Sequence, residues 1–215
     1  MFWGFVAGVS GSAGLLLLYH ALSTGKMGVA APISAVVTVA LPVIYSTFNE
    51  GLPAGYQIAG FVVAIVAMWM ISSTGEKDEI KRQDFVYPLL AGAGFGIFFI
   101  SVDLFSESAV FWPLTVAKVS AVVVILGFAL LRKSASLPSK SVLPLIIISG
   151  IFDASGNLFF ALASQVGRLD IATVVASLYP GSTVLLAWIV LKERLSSIQW
   201  IGVILALAAI VLISL

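Results

Sequence analysis

Lys118, Asp153 and Asn157 are the side chains of this sequence best placed to handle a polar solute or a proton. Lys118 and Asp153 fall inside long apolar runs, where an ionisable group costs about 2.5–3.5 kcal/mol on insertion scales and therefore marks a candidate site. The runs that carry them, 110–131 and 142–164, are joined by a short linker and must lie antiparallel, with residue 131 facing residue 142. Lys118 then falls level with residue 155, within one turn of both Asp153 and Asn157. Those two are four residues apart and share a helix face. The trio fits two overlapping chemistries. One is a structural ion pair that satisfies both charges, and the other is a polar patch on a cavity wall that binds substrate or carries a proton.

Other reactive groups are few. Tyr179-Pro180 lies mid-span in 169–191, where a proline frees a carbonyl and permits a kink and a tyrosine offers a cavity one hydroxyl. Pro32 and Pro42 do the equivalent in 27–48. His20, the one histidine, stands near a span end as a polar residue or a titrating group. Ser10 and His20 suggest a membrane serine hydrolase, but both lie on one predicted helix, ten residues or roughly 15 Å apart. With no other histidine, no cysteine and no acidic metal cluster, the enzyme reading is set aside. No metal or cofactor is expected either. Asp103 and Glu107 read as surface groups, and Glu50 and Glu193 as loop residues at helix starts. Gly4-x-x-x-Gly8 and Gly92-x-x-x-Gly96 read as close helix contacts.

The elements that carry these residues follow from composition. The chain of 215 residues is 60% hydrophobic and 10% charged, with a mean hydropathy of +1.14, far from the ~25% charged residues of a soluble domain. A span of the roughly 30 Å hydrocarbon core needs about 20 apolar residues. Eight runs qualify: 2–22, 27–48, 55–72, 87–105, 110–131, 142–164, 169–191 and 197–215. They lack the period-two alternation of barrel strands, so they are expected as helices in an all-α polytopic bundle. A net charge of +1 without a basic stripe excludes nucleic acid as a partner. Trp112 and Trp200 suit interfacial anchoring. The opening Met-Phe-Trp-Gly-Phe has no basic region of the signal-peptide kind.

One plan occurs twice. Gly25-Lys26-Met27, an apolar stretch, Asn49-Glu50-Gly51-Leu52 and a second stretch with Gln57 and Gly60 are matched by a later series. That series runs Gly167-Arg168-Leu169, apolar stretch, Lys192-Glu193-Arg194-Leu195, then Gln199 and Gly202. A charged linker at 74–86 divides a first repeat of three spans, 1–73, from a second of five, 87–215. Three against five calls for a ten-helix parent whose first two helices are missing here. Nine of the eleven Lys and Arg residues lie on one side of the predicted membrane, which the positive-inside rule makes cytoplasmic, with both chain ends outside.

Gly156-Asn157-Leu158-Phe159-Phe160-Ala161-Leu162-Ala163 and Ser177-Leu178-Tyr179-Pro180 through Lys192-Glu193-Arg194-Leu195 resemble the drug/metabolite transporter superfamily, in particular its EamA-type members. The resemblance covers nearly the whole chain. It implies two inverted five-helix repeats around a central cavity and a multi-pass protein of the cytoplasmic (inner) membrane. It also implies a carrier of amino acids, nucleobases, sugars or drugs, often outward. Eight helices correspond to the family's third through tenth. The family's usual arrangement puts both ends in the cytoplasm, opposite to the charge count, so orientation stays open. The expected partners are the lipid bilayer and a small-molecule substrate, with a coupling proton and a homodimer left open. The alternative is a non-transporting membrane subunit that needs a partner to complete the missing helices.

Overall fold

The computed structural model describes residues 1–24, 27–72, 83–106, 109–132, 138–178, 189 and 196–214. Among them the chain is all-α, without strands. The helices are α1 (Phe2–Thr24), α2 (Met27–Glu50), α3 (Gly55–Ser72), α4 (Gln83–Ser106), α5 (Phe111–Leu131), α6 (Leu143–Val166), α7 (Leu169–Ala176) and α8 (Ser197–Ser214), with a 3-10 turn at Lys140–Val142. Tyr179, Pro180 and Glu193 lie outside the described residues, and so does the side chain of Pro32 within α2.

Five stretches are long and apolar enough to cross a membrane: Phe2–Ser23, Ile33–Glu50, Phe85–Ser106, Phe111–Leu131 and Lys140–Val166. α3 and α8, at 18 residues each, reach about 27 Å at 1.5 Å per residue, just short of the roughly 30 Å core. The fold is an all-α polytopic membrane bundle. α4 starts at Gln83, four residues before the predicted 87. Hydropathy marks where the apolar run ends, whereas the backbone ladder continues for another turn through Gln83 and Asp84.

The duplicated plan is built into the backbone at a spacing of 142. Gln57 Oε1 accepts the Ala54 N–H at 3.0 Å at the start of α3. Gln199 Oε1 accepts the Ser196 N–H at 2.9 Å at the start of α8, and Ser196 Oγ returns the favour to the Gln199 N–H at 3.3 Å. Each Gln reaches back from the third helical position to the residue before the helix, the side-chain half of a capping box. α1, α2 and α3 recur 142 residues later as α6, α7 and α8, with 55–72 falling on 197–214.

Contacts between the repeats repeat the same offset. A methyl on Gly60 would meet Ile213 at 2.7 Å, and one on Gly202 would meet Ile71 at 2.8 Å. Gly60 and Gly202 are 142 apart, and so are Ile71 and Ile213. α3 and α8 therefore cross by exchanging the same two positions. The start of each helix meets the end of the other, so the two run antiparallel. This is an isologous contact across a pseudo-twofold axis, and antiparallel mates mean that the repeats are inverted. Its core joins Ala35 and Val39 of α2, Ala64 and Met68 of α3, Val174 of α7 and Val203 and Ala209 of α8.

One side of each repeat fares differently. α4 packs in the groove between α1 and α2, and α5 lies against α1. Gly14 of α1 lets α4 approach so closely that an added methyl would meet the Ala91 carbonyl at 2.9 Å. Gly8 does the same for Ala117 of α5, Gly4 for Pro113, and Gly92 and Gly96 of α4 face Val37 and Leu41 of α2. Both G-x-x-x-G pairs thus serve packing. On the second repeat, α6 is exposed at every residue from 143 to 154. Gly150 and Gly156, the counterparts of Gly8 and Gly14 at plus 142, have nothing within 4 Å of an added methyl.

Candidate functional site

The structure brings Lys118, Asp153 and Asn157 together across α5 and α6. The Lys118 ammonium pairs with Asp153 Oδ2, and Asn157 Nδ2 donates to Asp153 Oδ1 at 3.3 Å. The antiparallel crossing of two helices joined by a short linker sets this meeting, two positions from the expected level at 155. The side chains are exposed rather than enclosed, at 38% for Lys118 and 65% for Asp153. Both Asp153 oxygens are engaged, so the patch presents a dipolar surface that can exchange a partner for a solute group.

Replacing Lys118 by Met or Asp153 by Leu alone strands one charge in the hydrocarbon region and lowers the yield of folded protein. The double replacement removes both charges and recovers it, as a double-mutant cycle on yield shows. Wild-type expression and uptake in both single mutants would dissolve the pair as a functional unit.

His20 lies elsewhere. Its ring packs edge-on against Tyr87 of α4, with centroids 4.6 Å apart at 84°, which fixes the ends of α1 and α4 rather than joining the trio. Ser10 Oγ donates to the Ala7 carbonyl of its own helix at 3.3 Å. Trp112 and Trp200 sit at the starts of α5 and α8, 71% and 37% exposed, as interfacial residues do.

A second polar region, between α2 and α7, was missed from the sequence. Arg168 precedes α7, and its guanidinium gathers four groups. Nη2 donates to the Gly51 carbonyl at 2.8 Å and to Asp170 Oδ2 at 2.9 Å. Nε donates to Asp170 Oδ1 at 3.2 Å, and Nη1 donates to the Glu50 carbonyl at 3.3 Å. Glu50 Oε2 stands 3.8 Å from Nε. The two carbonyls end α2 and lack helical partners. Gly51, at φ +88°, turns the chain so that they face Arg168, a conformation other residues rarely adopt. Asp170 is fully buried and also accepts the Ile171 N–H at 2.8 Å. Hydrogen bonding to Asp170 raises the pKa of Arg168 above its ordinary value, against the opposing effect of burial, so the guanidinium keeps its charge at every physiological pH.

Behind the knot lie three buried hydroxyls without hydrogen-bond partners: Ser46, Thr173 and Ser177, at 0%, 0% and 2% exposure. Membrane serines and threonines normally satisfy themselves on the preceding turn, as Thr38 does with the Ser34 carbonyl at 2.7 Å. Each unsatisfied buried hydroxyl costs about 1–3 kcal/mol. Ile171 and Val174 of α7, with Leu178 just beyond it, join the core that holds Val39 and Val43 of α2, whereas Leu169, Ala172 and Ala176 join the one that holds Tyr45. At 100° per residue, Asp170, Thr173 and Ser177 occupy the arc between, turned toward α2. Their spacing of three and four residues was visible in the sequence as a polar stripe on an apolar helix. What hid it was that no member is a strongly ionisable group mid-span.

Alongside, α6 and α7 frame an open groove of about 430 Å³ lined by Gly156, Phe159, Phe160, Ala163, Ile171 and Val175, with Arg168 at its end. It is the counterpart of the groove between α1 and α2 that α4 fills. Among the described residues no group of His, Cys, Asp or Glu is arranged to hold a metal ion.

Inverted helix repeats meeting across a pseudo-twofold, with polar groups set into the bundle, are an architecture that recurs among membrane transporters. The model of the EamA-like transporter family matches residues 85–215, 131 of 215, and the chain belongs to that family of drug/metabolite-type membrane transporters. An uncharacterized protein of Methanocaldococcus jannaschii is 28% identical over 121 residues, which are 56% of this chain and 87% of the relative. A solved crystal structure of another protein superposes with a TM-score of 0.81 at 15% identity, covering 98% of this chain and 76% of the other. At that identity the likeness is one of fold.

Proposed function

We propose that the chain carries small metabolites or drugs outward across the cytoplasmic membrane by alternating access, with a proton as the candidate coupling ion. The exchange of Gly60–Ile213 for Ile71–Gly202 carries this reading. Two inverted halves joined by an isologous contact can rock about it and present one site alternately to each side. Lys118, Asp153 and Asn157 are the substrate-contact candidates of the second repeat. The Asp153 carboxylate is the group suited to take up a proton or an amine.

Counterflow in proteoliposomes with a panel of amino acids, nucleobases, sugars and cationic drugs tests this. At least one class should exchange, and Asp153→Asn should slow it by about tenfold, a barrier change of roughly 1.4 kcal/mol. Failure of every class to exchange, or unchanged exchange in Asp153→Asn, would remove the reading or the site respectively. The second reading, a membrane subunit that works only with a partner, is favoured by one observation: the bare face of α6 at Gly150 and Gly156.

A further inference from the structure

α2 and α7 are mates at the 142 spacing, so their contact straddles the pseudo-twofold axis. Arg168 hydrogen-bonds the Gly51 carbonyl, which sets their level. In an antiparallel pair anchored there, Ser46 lies level with Thr173, each five residues or about 7.5 Å in from the knot. Ser46 and Thr173 thus lie at one level along the seam where the two repeats meet, and Ser177 lies one turn deeper. All three are sealed from solvent, and none has a hydrogen-bond partner. A serine, a threonine and a serine held this way are ill-suited to a permanent apolar contact and well suited to a surface that is wet in another state. The charged knot at Arg168 stands at the outer end of this seam. Arg168 ties the end of α2 to the start of α7 with charge-assisted bonds, through two main-chain carbonyls and the buried Asp170.

We propose that the α2–α7 seam is the closed half of the solute path. It is a narrow polar passage for water and small hydroxyl- or amine-bearing solutes, and Arg168 is its latch. When the latch releases, α2 and α7 part, and Ser46, Thr173 and Ser177 gain water or solute as partners. Asp170 then stands at the mouth as a free carboxylate, a group that attracts cationic or amine-bearing solutes. This rests on the alternating-access reading above and adds to it the residues that hold one side shut.

The chain has no cysteine, so single cysteines can be placed at Ser46, Thr173 and Ser177 in the full 215-residue protein in lipid vesicles. Each is exposed to a membrane-impermeant cationic methanethiosulfonate. With Arg168 intact the three should react slowly. Adding Arg168→Gln should raise their rates on the order of tenfold or more by shifting the population toward the open state. A cysteine at Ala91, fully buried against α1, should stay protected in both backgrounds. Asp170→Asn, which keeps the shape but weakens the charged bonds, should give an intermediate rise and serves where Arg168→Gln fails to fold.

Unchanged rates at the three positions in both variants overturn the proposal, and so does an equal rise at position 91, which would mean general loosening. The readout needs no transported substrate. A latch-dependent rise without any counterflow would therefore sink the transport reading and leave the passage standing. Counterflow with latch-independent rates would do the reverse.

Discussion

Gly14→Ala is expected to destabilise the bundle and Gly156→Ala, its counterpart 142 residues on, to leave it intact or firmer. In a bare helix, glycine is worse than alanine by roughly 0.5–1 kcal/mol because of its backbone entropy. By propensity alone both changes would help. At Gly14 the new methyl meets main-chain atoms of α4, the Ala91 carbonyl at 2.9 Å and the Phe95 nitrogen at 3.2 Å. Backbone cannot swing aside as a side-chain tip can, so α1 and α4 must separate, and overpacking of this kind costs about 1–3 kcal/mol. At Gly156 there is nothing within 4 Å, and only the propensity gain remains. Thermal unfolding in detergent, read by loss of monodisperse protein, should therefore show opposite signs for the same substitution at symmetry-related positions. Gly8→Ala and Gly150→Ala should repeat the contrast against α5. A fall in stability at Gly156 as large as at Gly14 would show that the α6 face is covered in solution.

Flux should rise by about tenfold or more when two apolar helices of the α4–α5 kind are joined ahead of α1. α4 and α5 shield the α1 side of the first repeat through Gly14, Gly8 and Gly4. The matching side of the second repeat, α6 with its open 430 Å³ groove, is exposed. A rocking carrier needs both halves to move as solid bodies around a site walled from the bilayer. With α6 bare, a solute held near Asp153 and Asn157 faces hydrocarbon rather than an opposing wall. The 215-residue chain should insert and fold yet carry solute poorly. The measurement is counterflow in proteoliposomes for the chain with and without the added pair, at equal incorporation. Equal flux would show that the described helices suffice, and the bare face would then need a structural explanation of its own.

Much of the architecture was legible in the residues. Apolar runs of about 20 residues can only be helices in lipid, because an unpaired backbone has no partner there, and so the all-α bundle follows from composition. The duplicated Gln and Gly at 57 and 60 and at 199 and 202 announced the repeat, since each Gln caps a helix locally and needs no tertiary context to do so. The meeting of Lys118 with Asp153 was legible for a similar reason: a short linker forces two helices antiparallel, and depth then follows from counting.

What the sequence could not decide was everything that depends on which helix lies beside which. Whether Gly14 is crowded and Gly156 bare is invisible in two glycines with similar apolar neighbours. Only the placement of α4 against α1 distinguishes them. The knot at Arg168 joins residues 117 and 118 positions apart, and from the sequence it reads as a lone loop cation. Ser46, Thr173 and Ser177 read as ordinary helix hydroxyls until the structure shows them buried without a hydrogen-bond partner. Local hydrogen bonding and hydrophobic length act within one segment and leave their mark in its residues. Close approach, burial and charge pairing belong to pairs of segments, and only the tertiary structure chooses the pairs.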